Sequence, residues 1–190
     1  MGNHFYAMLS RMKNISRWGL MRNTRQENLS EHSLEVALVA HALAVIKNSR
    51  FGGDIDPCRV ATAAMFHDTS EIITGDMPTP IKYYNPEIKR VYKQIEATAE
   101  DRLLGLLPDD MRPEFEPLYH PDEEAARLIK AADKISALIK CTEEIGMGNR
   151  EFSAAHASTL SAIHALSCPE AEVFLDEFME SFSLTLDEQN

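Results

Sequence analysis

An imidazole and a carboxylate stand side by side at His67-Asp68, late in a mostly apolar segment that opens at Asp56-Pro57 and runs to Thr74-Gly75. An ionised carboxylate in such a setting is costly unless it is paired or bound to a metal. The segment reads as one helix, and adjacent helix positions lie about 100° apart, so both side chains can reach one point beside it. Glu71 follows His67 by four residues and stacks on the same face. His32 falls in the first turn of an earlier apolar helix, aligned with Val36, Val39 and Leu43. Asp133 sits amid Ala125, Leu128, Ile129, Ala132, Ser136 and Ile139, where an acid wants a partner. Three inward-facing helices can bring His32, His67, Asp68 and Asp133 together. Two imidazoles and two carboxylates suit Mn, Co, Fe, Zn or Cu, whereas calcium prefers oxygen ligands throughout. A His-Asp pair alone is weak evidence, and Asp133 could simply pair with Lys130 or Lys134, so spacing by itself only suggests a metal site. His41 reads as a core histidine. His4, His120, His156 and His164 lack carboxylates at useful helical spacing and read as surface or core residues.

The elements that must position these groups are helical almost throughout, and the fold class expected is all-α. Residues about 3–13 form a short amphipathic segment, and Ser16 to Asn28 reads as an irregular connection. Asn28 or Ser30 caps the next helix, with Glu31 suiting its dipole. That helix extends to about Lys47 and is apolar nearly all round, through Leu34, Val36, Leu38, Val39, Leu43 and Val45, which predicts burial on most sides. Phe51-Gly52-Gly53 is a turn. Asp56-Pro57 offers an N-cap followed by proline at the first helical position. Pro78 and Pro80 exclude helix from Asp76 to Pro80, leaving an ordered loop. A helix follows from about Pro86 to Leu107, then a connector punctuated by Pro108, Pro113 and Pro117. Asp122 caps a helix to about Gly146, and Glu151 to Phe182 reads as two helices broken near Pro169.

The 190 residues fit one domain, 1–190, long enough to bury a real core. Hydrophobic content of 44% and charged content of 26% are ordinary globular values, which argues against long disorder. A net charge of −11 excludes nucleic-acid polymers and anionic membranes as partners and requires locally placed cations for any small anionic substrate. The three cysteines, Cys58, Cys141 and Cys168, form no CxxC pair and read as buried reduced thiols of a cytoplasmic protein. Lys13, Arg11 and Arg17 precede no unbroken apolar stretch, so a signal peptide is not expected. No apolar run approaches the ~18–20 residues that span a bilayer.

The order His32, His67-Asp68, Asp133 resembles the H…HD…D signature of the HD superfamily of metal-dependent phosphohydrolases, here within about residues 30–137. Arg17-Trp18, Glu31-His32-Ser33, His67-Asp68-x-x-Glu71, Gly75-Asp76-x-Pro78-Thr79-Pro80 and Lys130-Ala131-Ala132-Asp133 together resemble the bacterial HD-domain 5′-deoxynucleotidases, over about residues 4 to 188. The resemblance implies an HD-domain helical bundle with the metal site between core helices, a homodimer, and hydrolysis of deoxyribonucleoside 5′-monophosphates to deoxynucleoside and phosphate. It implies breadth in the base, selectivity against ribonucleotides, and one divalent ion, commonly cobalt in assays, held by His32, His67, Asp68 and Asp133. Glu71 is then expected to position or deprotonate the attacking water, with orientation of a ligand histidine as the plainer alternative. Arg17 would orient phosphate, and Trp18 would oppose a ribose 2′-OH by bulk. Asp76 and Thr79 would bind sugar or phosphate, with Met77 and Pro78 adding contacts from the backbone. His32, Asp68 and Asp133 would border the substrate as well as the metal.

Two other readings stay open on the sequence. The signature also permits an HD phosphohydrolase acting on cyclic nucleotides, (p)ppGpp or nucleoside triphosphates, although the chain lacks an evident accessory domain. A non-catalytic nucleotide-binding HD module is the other, and retention of all four ligands and Glu71 weighs against it.

Overall fold

The computed structural model describes residues 3–82 and 84–190, with the side chain of Thr79 outside the described set. Ten α-helices carry the described chain: α1 (Phe5–Leu9), α2 (Leu29–Phe51), α3 (Pro57–Phe66), α4 (Glu71–Thr74), α5 (Thr79–Lys82), α6 (Pro86–Leu104), α7 (Arg112–Tyr119), α8 (Glu123–Gly146), α9 (Ser153–Ala165) and α10 (Pro169–Phe178). Among the described residues the one β pairing is an isolated antiparallel bridge between Ser16 and Asn28, which closes the base of the irregular connection.

The main core lies where α2, α3 and α8 meet, with α9 and α10 covering it. Val36, Ala40 and Leu43 of α2, Val60 and Ala64 of α3, and Leu128, Ala132 and Ile135 of α8 are all essentially inaccessible. Alanines at these crossings let the helix axes approach. A second, smaller cluster gathers Phe5, Leu103, Leu104 and Leu107, with Phe66, Ile73, Phe115 and Tyr119 packed against it. The segment from Phe66 to Ile73 therefore bridges the two clusters, and the His-Asp pair sits in it.

Local chemistry sets the ends of the site-bearing helices. Asn28 accepts from the amides of Ser30 and Glu31 while Glu31 accepts from the Asn28 amide, a reciprocal capping box. This box fixes the first turn of α2, which carries His32. Gly52, at φ 66°, ends α2 in the left-handed conformation that glycine adopts without penalty. Asp56 caps α3 through the amides of Cys58 and Arg59, and Asp122 caps α8 through the amide of Ala125.

Several expectations are corrected. The helix from Pro57 stops at Phe66, and His67–Ser70 is a turn before α4. Thr69 Oγ1 donates to the Phe66 carbonyl and His67 Nδ1 pairs with the Ala64 carbonyl, so side chains take acceptors near the helix end. The Asp76–Pro80 loop ends early, because Thr79 opens the single turn of α5, where a proline in the first turn loses no intrahelical bond. The proline-rich connector contains α7, with Pro113 in its first turn and Pro117 inside. Helix α2 is not covered all round: Leu34 and Leu38 are 56% and 64% exposed, and His41 is exposed rather than in the core. It is also long and apolar enough to cross a membrane by length and composition, yet it forms the centre of the core. Cys58 is exposed, whereas Cys141 and Cys168 are buried.

Replacing Asn28 by alanine removes the α2 cap, a loss of about 1 kcal/mol. For a chain of this size the thermal midpoint is expected to fall by roughly 2–4 °C in calorimetry. An unchanged midpoint would mean that the capping box does not hold the first turn of α2.

Candidate metal and phosphate site

Three separate segments deliver the polar cluster. His32 comes from the first turn of α2, His67 and Asp68 from the turn after α3, and Asp133 from the middle of α8. One ligand atom from each of the four lies within 4.8 Å of the others. His67 Nε2 is 3.1 Å from Asp68 Oδ2, while His32 Nε2 is 3.6 Å from the same oxygen and 3.4 Å from Asp133 Oδ1. Neither Nε2 makes a hydrogen bond of acceptable geometry, though both are buried. Two orphaned ring nitrogens aimed at shared carboxylate oxygens fit a cation between them, and the donor set is one that a transition ion accepts. The His67 ring is held through Nδ1, 2.7 Å from the Ala64 carbonyl, so in the neutral ring Nε2 carries the lone pair.

Electrostatics follow from this crowding. Burial opposes the charged form of Asp68, but His67 and His32 outweigh it and hold the carboxyl well below the ordinary range. Asp133 is likewise held low against burial by His32 and Lys134, whose Nζ is 3.4 Å from Asp133 Oδ2. Burial works against protonated His67 too, yet Asp68 and Asp133 raise it to about 9.

Glu71 opens α4 and is 4% exposed, with Oε2 unpartnered. Burial first, then repulsion from Asp68 and Asp76, pushes its carboxyl up to about 9, against the pull of Arg17 and Lys82. Arg17 reaches into the same volume: its Nη1 is 3.6 Å from Asp68 Oδ2. Burial disfavours its charge, but Asp68, Glu27, Asp133 and Asp76 around it raise its pKa above the ordinary value. Asp76 thus lies within electrostatic reach of both Glu71 and Arg17. Met77 and Pro78 are half-buried on the same loop, and the Thr79 side chain lies outside the described residues.

Trp18 adjoins Arg17 in a left-handed conformation, φ 59°, uncommon for a bulky residue. Its ring packs on Phe152 at 5.3 Å between centroids. The residue that sequence reasoning missed is Glu27. One of its oxygens accepts from Trp18 Nε1 at 2.8 Å and from Arg17 Nε at 3.2 Å. Nothing in a polar stretch marks this acid, because its two partners are nine and ten residues away and meet it only once the connection folds back. Glu144 was missed as well. It is fully buried and accepts from the amides of Thr24 and Arg25, Thr24 Oγ1, Asn149 and Lys140, tying the connection to α8.

Because unloaded His67 keeps its proton to about pH 9, a cation entering the cluster must displace it. Affinity for Co2+ or Mn2+ is therefore expected to rise with pH towards 9, and calorimetric titration in buffers of different ionisation enthalpy should register net proton release near neutrality. A pH-independent affinity would overturn the assignment of His67 to this cluster.

The model of the YfbR-like 5′-deoxynucleotidases matches residues 4–182. A 5′-deoxynucleotidase of Vibrio cholerae is 53% identical over 191 residues, covering 98% of this chain and 97% of the relative. Another, from Klebsiella pneumoniae strain 342, is 49% identical over 98% of this chain and 95% of its own length. Among solved structures, an HD-domain phosphohydrolase from Listeria innocua superposes with a TM-score of 0.83 at 23% identity, over 96% of this chain and 90% of the other. An HD phosphohydrolase of cyanophage S-2L, bound to dA and one catalytic Zn2+ ion, gives a TM-score of 0.67 at 21% identity, over 92% and 96%. The helical arrangement is thus the HD fold, and the chain belongs to the YfbR-like 5′-deoxynucleotidase family.

Proposed function

We propose that this enzyme hydrolyses deoxyribonucleoside 5′-monophosphates to deoxynucleoside and phosphate, broadly in the base and selectively against ribonucleotides. The observation that carries the reading is the convergence of four ligand atoms within 4.8 Å, with the Arg17 guanidinium 3.6 Å from one of them. A cation site with a fixed planar donor at its edge suits a terminal phosphate. The family relatives named 5′-deoxynucleotidase support the substrate class.

His32, His67, Asp68 and Asp133 would hold one divalent ion, with Co2+ serving in assays and Mn2+, Cu2+, Zn2+ or Fe2+ as alternatives of the same class. When bound, such an ion polarises a phosphoryl oxygen and lowers the pKa of water. Arg17 orients the phosphate. Glu71 positions the attacking water and takes its proton; positive charge brought beside Glu71 favours the carboxylate that this role needs. Water oxygen bonds to phosphorus, the bond to the 5′ oxygen breaks, and the 5′ oxygen leaves as a hydroxyl with the proton that Glu71 took from the water, which restores Glu71. Trp18, anchored by Glu27 and Phe152, stands against the sugar and opposes a 2′-OH. Asp76 and Thr79 contact sugar or phosphate, and Met77 and Pro78 line the same edge. With no base-reading group assigned, tolerance of several bases follows. The protein works in the cytoplasm as a homodimer on this reading.

The test is phosphate release from matched 5′-dAMP and 5′-AMP after metal removal and re-addition of Co2+ or Mn2+. Metal-dependent release from 5′-dAMP with little from 5′-AMP is expected, and Trp18→Ala should narrow the difference. Equal release from both by the unaltered enzyme would remove the sugar argument. No release from either with metal bound would remove the substrate class. Glu71→Gln should retain stoichiometric metal and lose turnover by roughly 10²–10⁴-fold, the usual range for a general base. Near-normal turnover in that variant would exclude Glu71 from the chemistry.

A further inference from the structure

His67 has its outer ring nitrogen fixed by a backbone carbonyl, but His32 does not. Its Nδ1 lies 3.1 Å from Ser136 Oγ, on the facing turn of α8, and Ser136 Oγ lies 2.6 Å from Glu35 Oε2. Ser136 is fully buried and His32 is 1% exposed, so water does not compete for the bond between them, while Glu35 is partly buried. The hydroxyl has one proton, and the short contact to a carboxylate, which only accepts, places it on the Glu35 side. The Ser136 oxygen is then left to accept, and His32 Nδ1 must be the donor. That choice puts the His32 lone pair on Nε2, which faces Asp68 and Asp133 without a hydrogen bond of its own.

We infer that Ser136 and Glu35 are positioning residues for the metal centre, a hydroxyl-linked carboxylate relay that fixes the tautomer and ring angle of His32. The inference rests on the metal-site reading above. Glu35 is the residue three after His32 on α2, and Ser136 is three after Asp133 on α8. Each helix therefore contributes one ligand and, one turn further on, one member of the relay that orients the ligand from α2. A carboxylate one hydrogen bond removed also raises the basicity of the imidazole that faces the cation. Loss of such outer partners commonly costs 10–100-fold in metal affinity or activity.

The experiment compares the full-length protein with its Ser136→Ala, Ser136→Thr and Glu35→Gln variants, each stripped and titrated with Co2+ against a chelator. The visible spectrum of the Co2+ form and the thermal midpoint of the metal-free form are recorded alongside. Ser136→Ala is expected to weaken Co2+ binding roughly 10–100-fold and alter the spectrum. Glu35→Gln, which can still accept the hydroxyl proton but brings no charge, should weaken it less. Ser136→Thr, which keeps the hydroxyl, should restore most of the affinity. Midpoints of the metal-free variants should change far less than the stabilisation that Co2+ confers. Unchanged affinity and spectrum in Ser136→Ala, with normal Co2+ binding by the unaltered protein, would overturn the relay and leave the metal centre standing. Failure of the unaltered protein to bind stoichiometric Co2+ would overturn the metal centre and the relay with it. If Ser136→Ala does not fold, Glu35→Gln decides, since Glu35 is only partly buried; full affinity in that variant counts against the relay.

Discussion

Two carboxylates and two imidazoles forced into one small volume form the constraint on which the rest of this structure depends. Each carboxylate is stabilised only by positive charge close by, and burial makes the ordinary compensation by water incomplete. Within this cluster His67 supplies that charge by holding a proton to about pH 9, while Asp68 and Asp133 are held low. A divalent ion held by the same residues would replace that proton with a larger charge. Such a charge would also act on Glu71, whose carboxyl is raised by burial and by Asp68 and Asp76. One cation would thereby bear on the protonation of His67 and Glu71 together.

The approach to this centre depends on acids of a different kind. The connection between α1 and α2 contains no regular helix across Trp18 to Glu27, yet it must hold an arginine and a tryptophan in fixed positions. Glu27 does so by accepting from both side chains at one oxygen, and Glu144 does so for Thr24 and Arg25 from the far side. Burial works against the charge of Glu144, but Lys140, Thr24 and Asn149 overcome it and keep the carboxyl ionised far below the usual range. The left-handed Trp18 backbone carries a cost of the order of 1–3 kcal/mol. The hydrogen bond to Glu27 and the packing on Phe152 are what offset it locally. Net charge gives no hint of this arrangement. An acidic chain can hold a firm cation at this site because Arg17 is fastened by the same acids that make the protein acidic.

Much of this was legible in the residue pattern. The four candidate ligands, Glu71 and Arg17 meet in space, α8, α9 and α10 begin and end close to where caps and prolines placed them, and α2 begins at its expected cap but runs one turn past Lys47 to Phe51. Local chemistry explains that success, since caps act within four residues. The failures have one physical origin: they depend on contacts between distant segments, or on competition at a helix end. Periodicity alone runs α3 through His67, but Thr69 and His67 take carbonyls near its end and turn the chain. Apolar content alone buries α2 throughout, yet Leu34 and Leu38 lie on a face that stays exposed among the described residues. Pro117 looked like punctuation, but α7 keeps its turn around it, supported by packing of Phe115 and Tyr119 on the second cluster.

The turn at His67–Ser70 also has a functional consequence that a continuous helix would not have. On an unbroken helix, His67 and Glu71 would stack one turn apart, with positions fixed by the helix itself. Here α3 ends first, Asp68 projects from the turn, and Glu71 begins a new helix whose packing belongs to the second cluster through Ile73. His32 and Asp133 therefore answer to the α2–α3–α8 core, Glu71 answers to the smaller core built on α6 and α7, and His67 and Asp68 lie on the segment that bridges them. Glu71 thus sits on a different packing unit from His32 and Asp133, which lets each be adjusted by its own surroundings. Thr69, buried between them and bonded to Tyr119 at 3.1 Å, is the residue that joins the two.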